Sequence, residues 1–239
     1  MKIRVAACQQ PLHEEVPEET IHRINDANPD FVCLPEHYPL AKTISNLKEA
    51  AAQYFERKNY LIQLSSRMNS VLVGGTLTEK TANGYYNTCY VFQSGKEIGS
   101  YRKVHPTISE KEAGVLQGSE FKVFEIEKLR AGVLICADVL NSRSFDEMVS
   151  LNCQITFVPT ASPYRPNESV KEKFDRDQSI FLEGARHMRC PIVKTCGVGT
   201  TFGHPIQGRS LIATPEKIVA RVSPEQENQA VLLLADLEI

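Results

Sequence analysis

The sequence predicts an α/β protein with two mixed sheets packed face to face and helices outside. Three observations carry this. Strand-like runs alternate with helical segments at both ends of the 239-residue chain. The middle is a hairpin meander, turning at Asn83-Gly84 and again at Ser94-Gly95-Lys96, which a wholly parallel sheet would not contain. Strands also far outnumber long helices. No linker-like break, solenoid repeat or low-complexity segment interrupts the chain, so residues 1–239 are expected to form a single domain.

The elements follow in order. IRVAACQ (3–9) reads as a buried strand, and the polar stretch 15–28 as a helix ending near Asn28-Pro29. FVCLPE (31–36) is a second apolar run that stops at Pro35-Glu36. Leu47, Ala51, Tyr54, Leu61, Leu64 and Met68 recur at close to helical spacing, so 46–68 is predicted helical. SVLVGGTL (70–77), Tyr85 to Gln93 and Glu97 to Val104 form the meander. Phe121 to Ile126 and Arg130 to Cys136 are strands, and Ser142 can cap a short helix running to about Leu151. QITFVPTA (154–161) is a buried strand, and 168–189 a long helix with Val170, Phe174, Ile180, Phe181, Ala185 and Met188 as its apolar positions. CPIVKTCGVG (190–199), GRSLIAT (208–214), IVARV (218–222) and AVLLLADL (230–237) are the closing strands.

Composition narrows the function classes. Hydrophobic residues make up 42%, enough for a sizeable core, and the net charge of -2 leaves no basic footprint for nucleic acid or a membrane surface. Neither end reads as a targeting segment, and no stretch is apolar and long enough to span a bilayer. The seven cysteines are odd in number and irregularly spaced, without a CxxC pair, and the six histidines are scattered. Free thiols in a reducing cytoplasm are therefore expected, with neither a disulfide framework nor a zinc cluster.

Three apolar runs finish on a reactive group: VCLPE on Glu36, GSYRK on Lys103 and GVLIC on Cys136. Loops past the carboxyl ends of strands are where open α/β sheets bind ligands. A carboxylate, an ammonium and a thiol meeting there would make a covalent hydrolase. The thiol attacks a carbonyl carbon, the carboxylate takes its proton and later activates water, and the ammonium stabilises the oxyanion. The bland alternative for each holds as well: a core cysteine, a turn glutamate, a surface lysine. Arg165, just past a strand end, is a candidate for binding a substrate carboxylate, with Tyr38 and Tyr164 as candidate pocket walls. His37 and His105 flank Glu36 and Lys103 and read as structural or substrate-lining. Asp138 reads as a turn organiser. Cys153, Cys190 and Cys196 read as packing residues.

The ordered strings IRVAACQ, FVCLPEHYP, YRKVHP, GVLICAD, ITFVPTASP, GRSLIATPEKIVARV and LLLADLEI cover nearly the whole chain. Together they resemble the nitrilase, or carbon–nitrogen hydrolase, superfamily. The resemblance implies an α-β-β-α sandwich and a Glu–Lys–Cys triad, which falls on Glu36, Lys103 and Cys136. It implies a second glutamate near the lysine, best matched by Glu110, with Glu112 as its rival. It also implies no metal or organic cofactor, and a homodimer or larger homo-oligomer formed through the helices that follow the cysteine and the FVPTASP strand. The expected activity is hydrolysis of a small linear amide or N-carbamoyl compound, releasing ammonia. Cys136-Ala137-Asp138 departs from the Cys-Tyr-Asp of many amidases and the Cys-Trp-Glu of many nitrile-cleaving members. Ala137 thus removes a ring beside the nucleophile and reshapes the pocket. Three competing readings stand beside this one: nitrile hydrolysis by the same triad, a binding protein that keeps the fold without turnover, and a Cys–His enzyme with His37 or His105 as base.

Overall fold

The computed structural model describes residues 1–239. Its strands and helices, in chain order, are β1 (Lys2–Pro11), α1 (Glu18–Ala27), β2 (Phe31–Cys33), α2 (Leu47–Ala52), α3 (Tyr54–Ser66), β3 (Val71–Thr81), β4 (Gly84–Gln93) and β5 (Lys96–Arg102). Then come α4 (Ile108–Glu112), β6 (Val123–Ile126), β7 (Leu129–Val133), α5 (Ser142–Ser150), β8 (Ile155–Thr160), α6 (Val170–Asp177) and α7 (Glu183–Met188). The chain closes with β9 (Ile192–Thr201), β10 (His204–Ile206), β11 (Leu211–Ala213), β12 (Ile218–Arg221) and β13 (Val231–Glu238).

Strand β1 shows why the architecture follows from the sequence. Its run is apolar on both faces because both faces are covered. Ile3, Val5 and Ala7 point to the opposing sheet, whereas Ala6 and Cys8 point to the helices. One sheet runs β5-β4-β3-β2-β1-β13 and the other β6-β7-β8-β9-β11-β12. Within the first, β1, β2 and β3 are parallel; within the second, β7, β8 and β9 are. The outer strands are antiparallel, so both sheets are mixed. The sheets join where Gln10 pairs with Gly197 and Pro11 with Val198, at the carboxyl ends of β1 and the parallel strands beside it.

Between the sheets lies the main core, where Phe31 meets Phe157 with ring centroids 5.1 Å apart. Ile21, Ile24, Leu61 and Leu64 of α1 and α3 pack on the outside of the first sheet. Phe145, Met148, Phe181, Ala185 and Met188 pack on the outside of the second. This is the α-β-β-α layering that the sequence predicts. No helix is long and apolar enough to cross a membrane.

Several boundaries differ. The helical stretch 46–68 breaks at Gln53, and Asn46 caps α2 by accepting the Glu49 N–H at 3.0 Å. Asn141, not Ser142, caps α5. The stretch 168–189 begins with a Ser169–Glu172 capping box and is interrupted by a π-helical turn over Gln178–Leu182. Strand β7 stops at Val133, before Cys136. Helix α4 and strand β10 were not foreseen.

Asp177, where that turn begins, is buried. Its Oδ1 accepts from Lys194 at 3.0 Å and forms an ion pair with Arg209 at 2.7 Å, and its Oδ2 accepts from Arg221 at 3.0 Å. Arg209 also pairs with Glu168 and donates to the Lys173 carbonyl, and Lys173 pairs with Glu227. Lys194 lies over the Phe181 ring and Arg221 over Phe174.

Candidate active site

Three chain segments deliver the reactive groups to the end where the two sheets join. Past β2, Leu34 still bonds to the Val73 carbonyl, but Pro35 has no N–H and the ladder stops. Opposite it, β3 shifts register between Val73 and Thr76. Gly75 there has φ +66°, and a Cβ would overlap the Pro35 carbonyl, so glycine is what lets the Pro35-Glu36 segment cross. The His37 N–H then donates to Thr76 Oγ1 at 2.8 Å, which fixes the turn carrying Glu36.

Lys103 follows β5 directly, with its N–H held by the Asn87 carbonyl at 2.9 Å. Helix α4 comes next. Thr107 and Glu110 form a capping box, with the Thr107 N–H donating to Glu110 Oε2 at 2.7 Å. Cys136 sits on a tight turn with φ 44°, a left-handed conformation that non-glycine residues seldom adopt. Asp138 locks that turn. It accepts from the Ile135 N–H (2.8 Å), the His105 N–H (2.7 Å) and the Tyr101 hydroxyl (2.8 Å).

The three segments meet. Lys103 Nζ donates to Glu36 Oε1 at 2.8 Å, and to Glu110 Oε2 at 2.8 Å and Oε1 at 3.0 Å. Glu36 Oε2 accepts from the Ala161 N–H at 2.9 Å, and Cys136 Sγ lies 3.9 Å from the Ala161 carbonyl. Glu36 and Lys103 are buried, while Cys136 is half-exposed and the other six cysteines are buried. Cys136 is thus the one cysteine that is not fully buried.

The charges set the protonation pattern. Burial favours a neutral Lys103, but the Glu36 and Glu110 carboxylates and the neighbouring sulfur outweigh it and raise its pKa above the ordinary value. Burial opposes ionisation of Glu110 too, yet the Lys103 ammonium overcomes it and lowers that carboxyl to about 2. Burial and the Glu36 charge hold the Cys136 thiol well above its usual range, so it rests protonated. Burial also lowers the His37 pKa and keeps the ring neutral. For Asp138, burial pushes the carboxyl up against the pull of its donors.

Ligand atoms of Glu36, His37 and Glu110 lie within 4.8 Å of one another, but the Lys103 ammonium already sits between the two carboxylates. These residues do not fit a divalent cation.

The structure gathers Glu36, Lys103, Glu110 and Cys136, with Ala137 half-exposed beside the sulfur. It leaves Glu112 exposed, so Glu110 and not Glu112 faces Lys103. The T-x-x-E spacing of Thr107 and Glu110 is a capping-box signature that could have decided between them. Tyr38 corrects the expectation of a pocket wall. The turn at His37, with φ 59°, sends its ring into the helix-side core, fully buried, where its hydroxyl donates to the Glu14 carbonyl at 2.9 Å. His105 packs against Phe121 with ring centroids 5.8 Å apart. Tyr164 and Arg165 are exposed on the loop after β8, and neither side chain hydrogen-bonds or ion-pairs with the cluster. Two further residues adjoin the site without having been anticipated. Phe202, on the turn before β10, meets the His37 ring edge-on at 5.1 Å. Asn87, in the interior of β4, donates to Glu36 Oε1 at 2.9 Å and Glu110 Oε1 at 3.0 Å.

The chain is thus a four-layer sandwich with a carboxylate, an ammonium and a thiol gathered where its two sheets join. The family model for carbon-nitrogen hydrolases matches residues 4–239, and the chain belongs to that family. It is 25% identical over 231 residues to a probable nitrilase of Schizosaccharomyces pombe, covering 91% of this chain and 80% of the relative. A carbon-nitrogen hydrolase from Helicobacter pylori superposes with a TM-score of 0.83 at 20% identity, covering 100% of this chain and 90% of that one. A variant of the amidase from Nesterenkonia sp. superposes with a TM-score of 0.79 at 18% identity, covering 98% of this chain and 90% of that one. In that structure the acetamide moiety of fluoroacetamide is covalently attached to the active-site cysteine.

Proposed function

We propose that this protein hydrolyses a small linear amide or N-carbamoyl compound through a thioester on Cys136, releasing ammonia. The observation that carries the reading is the Lys103 ammonium clasped by two carboxylates at 2.8 Å, next to the half-exposed thiol. Because the thiol rests protonated, attack and proton loss go together. Cys136 Sγ bonds to the carbonyl carbon while Glu36 takes the thiol proton. Lys103 stabilises the oxyanion. Glu36 returns the proton to the departing nitrogen, ammonia leaves, and the thioester remains. Water then gives a proton to Glu36 and its oxygen to the carbonyl carbon. The acid departs and the thiol is reprotonated. Nothing else is consumed.

The alkylated cysteine of the Nesterenkonia amidase supports a nucleophilic role for the matching thiol here. The name of the yeast relative favours nitrile hydrolysis as the second reading. We also propose a homodimer through α5 and the segment after β8, where Leu140, Val149 and Val170 are exposed.

The test is ammonia release from a panel of amides, carbamoyl amino acids and nitriles, wild type beside Cys136→Ala, with intact-mass spectrometry. Amide turnover in the wild type alone, with an acyl adduct on Cys136, supports the reading. Faster acid formation from a nitrile than from its amide reverses the ranking. An active alanine variant ends the proposal.

A further inference from the structure

The two carboxylates that hold Lys103 are not equivalent, although Asn87 donates to one oxygen of each. A carboxylate offers about four lone-pair sites, two on each oxygen. Glu110 fills all of them: Oε1 takes Lys103 and Asn87, and Oε2 takes Lys103 and the Thr107 N–H. On Glu36, Oε1 is likewise filled by Lys103 at 2.8 Å and Asn87 at 2.9 Å. Glu36 Oε2 has one donor, the Ala161 N–H. The remaining lone pair is therefore on Oε2, the oxygen beside Ala161, whose carbonyl lies 3.9 Å from Cys136 Sγ.

We infer that Asn87 is a positioning residue that occupies Glu36 Oε1 and directs the Cys136 proton to Oε2. This rests on the amidase reading of the site. The proton leaves Sγ for Oε2 as the sulfur–carbon bond forms, and nothing else changes hands.

Two observations support the assignment. Asn87 is buried on an interior strand, and its Oδ1 has no hydrogen-bond partner. Turning the amide over would aim that oxygen at two carboxylates, so the nitrogen must face them although an acceptor is left unsatisfied. A neutral donor is also the right chemistry. A second cation here would neutralise the base, whereas an amide orients it and leaves its charge. The charged and titratable groups facing Glu36 are Lys103 after β5, Glu110 on α4, His37 next in the chain, Cys136 after β7 and the buried Cys196 on β9.

The test uses Asn87→Leu, which keeps the volume and removes both donors, and Asn87→Ser, whose hydroxyl can restore one. A carboxylate stripped of a donor takes up a proton more readily. In Asn87→Leu we expect kcat to fall about 10²-fold with KM within about threefold, and the acidic limb of kcat/KM to move up by roughly one pH unit. Asn87→Ser should fall between Asn87→Leu and the wild type. Iodoacetamide alkylation of Cys136 against pH, read by intact mass, should show the same upward shift with no substrate present. If the wild type hydrolyses no amide, the functional reading fails while alkylation still tests Asn87. Should Asn87→Leu not fold, Asn87→Ser decides. A folded variant with an unshifted alkylation profile overturns the inference, and so does equal loss in both variants with an unmoved acidic limb.

Discussion

Two ionic clusters are buried in this protein, and they are built as opposites. Around Lys103, one cation is held by two carboxylates. Around Asp177, one carboxylate is held by Lys194, Arg209 and Arg221. Both are buried and densely hydrogen-bonded. In the Asp177 cluster, however, each cation meets a further carboxylate, a carbonyl or an aromatic face, and the thiol near it, Cys196, is fully buried. In the Lys103 cluster, one lone pair of Glu36 stays open beside a half-exposed thiol. Buried charge alone does not mark a site of chemistry. What separates the two clusters is burial of the neighbouring thiol: Cys196 is fully buried, Cys136 is not.

The strongest way to break this comparison is to remove each central charge. Lys103→Ala should abolish turnover and cost roughly 3–5 kcal/mol at pH 7, because two carboxylates are left unpaired. Asp177→Ala should cost a similar amount while the folded fraction keeps the wild-type kcat. The two penalties should respond differently to acid. Carboxylates can take up protons and relieve the Lys103 variant, whereas arginines cannot shed theirs within reach of pH. Urea melts at pH 7 and pH 4, with kcat at a permissive temperature, separate the cases. Equal pH responses would mean that the clusters do not differ as described.

A smaller effect sharpens the electrostatics. Glu110 titrates at about 2 in the fold, below the ordinary 4.5. A depressed carboxyl contributes stability that is complete above the unfolded value and drains away as pH falls through the folded one. Glu110 should therefore supply roughly 3 kcal/mol at pH 7, lost between about pH 4.5 and 2. Glu110→Gln should be less stable at neutral pH, and its difference from the wild type should close toward pH 2, as followed by denaturant melts across that range. The smallest expected effect is at Glu112, exposed two residues on: Glu112→Ala should change stability by less than about 0.5 kcal/mol and leave kcat/KM alone.

Much of the sandwich and the core of the candidate site could be read from sequence. Glu36 and Cys136 each follow a buried apolar run, whose end is visible in one dimension, whereas Lys103 follows the more exposed GSYR and was legible through the YRKVHP string. Asn87 ends nothing. It lies inside β4, among residues that read as ordinary strand, and only the fold brings it between two glutamates distant in the chain. A polar amide in a strand interior is itself uncommon, and that was the available signal. Tyr38 shows the converse error. It is two residues from Glu36, but a single left-handed residue between them decides which way the ring points. The split of 46–68 at Gln53 was equally hidden, because apolar spacing carries across a break that local backbone geometry makes.

The seam between the sheets has a mechanical consequence. Strands β1 and β9 pair through two residues each at the end that carries Glu36 and Cys136, and bonds from Leu12 to Val198 and from Ser210 to Gln9 reinforce the seam, while Met1 and Ile239 are paired with each other within the first sheet. The sandwich is hinged like a clothes-peg, with the reactive groups at the spring. A motion that parted the layers would turn about this seam and displace least the groups beside it.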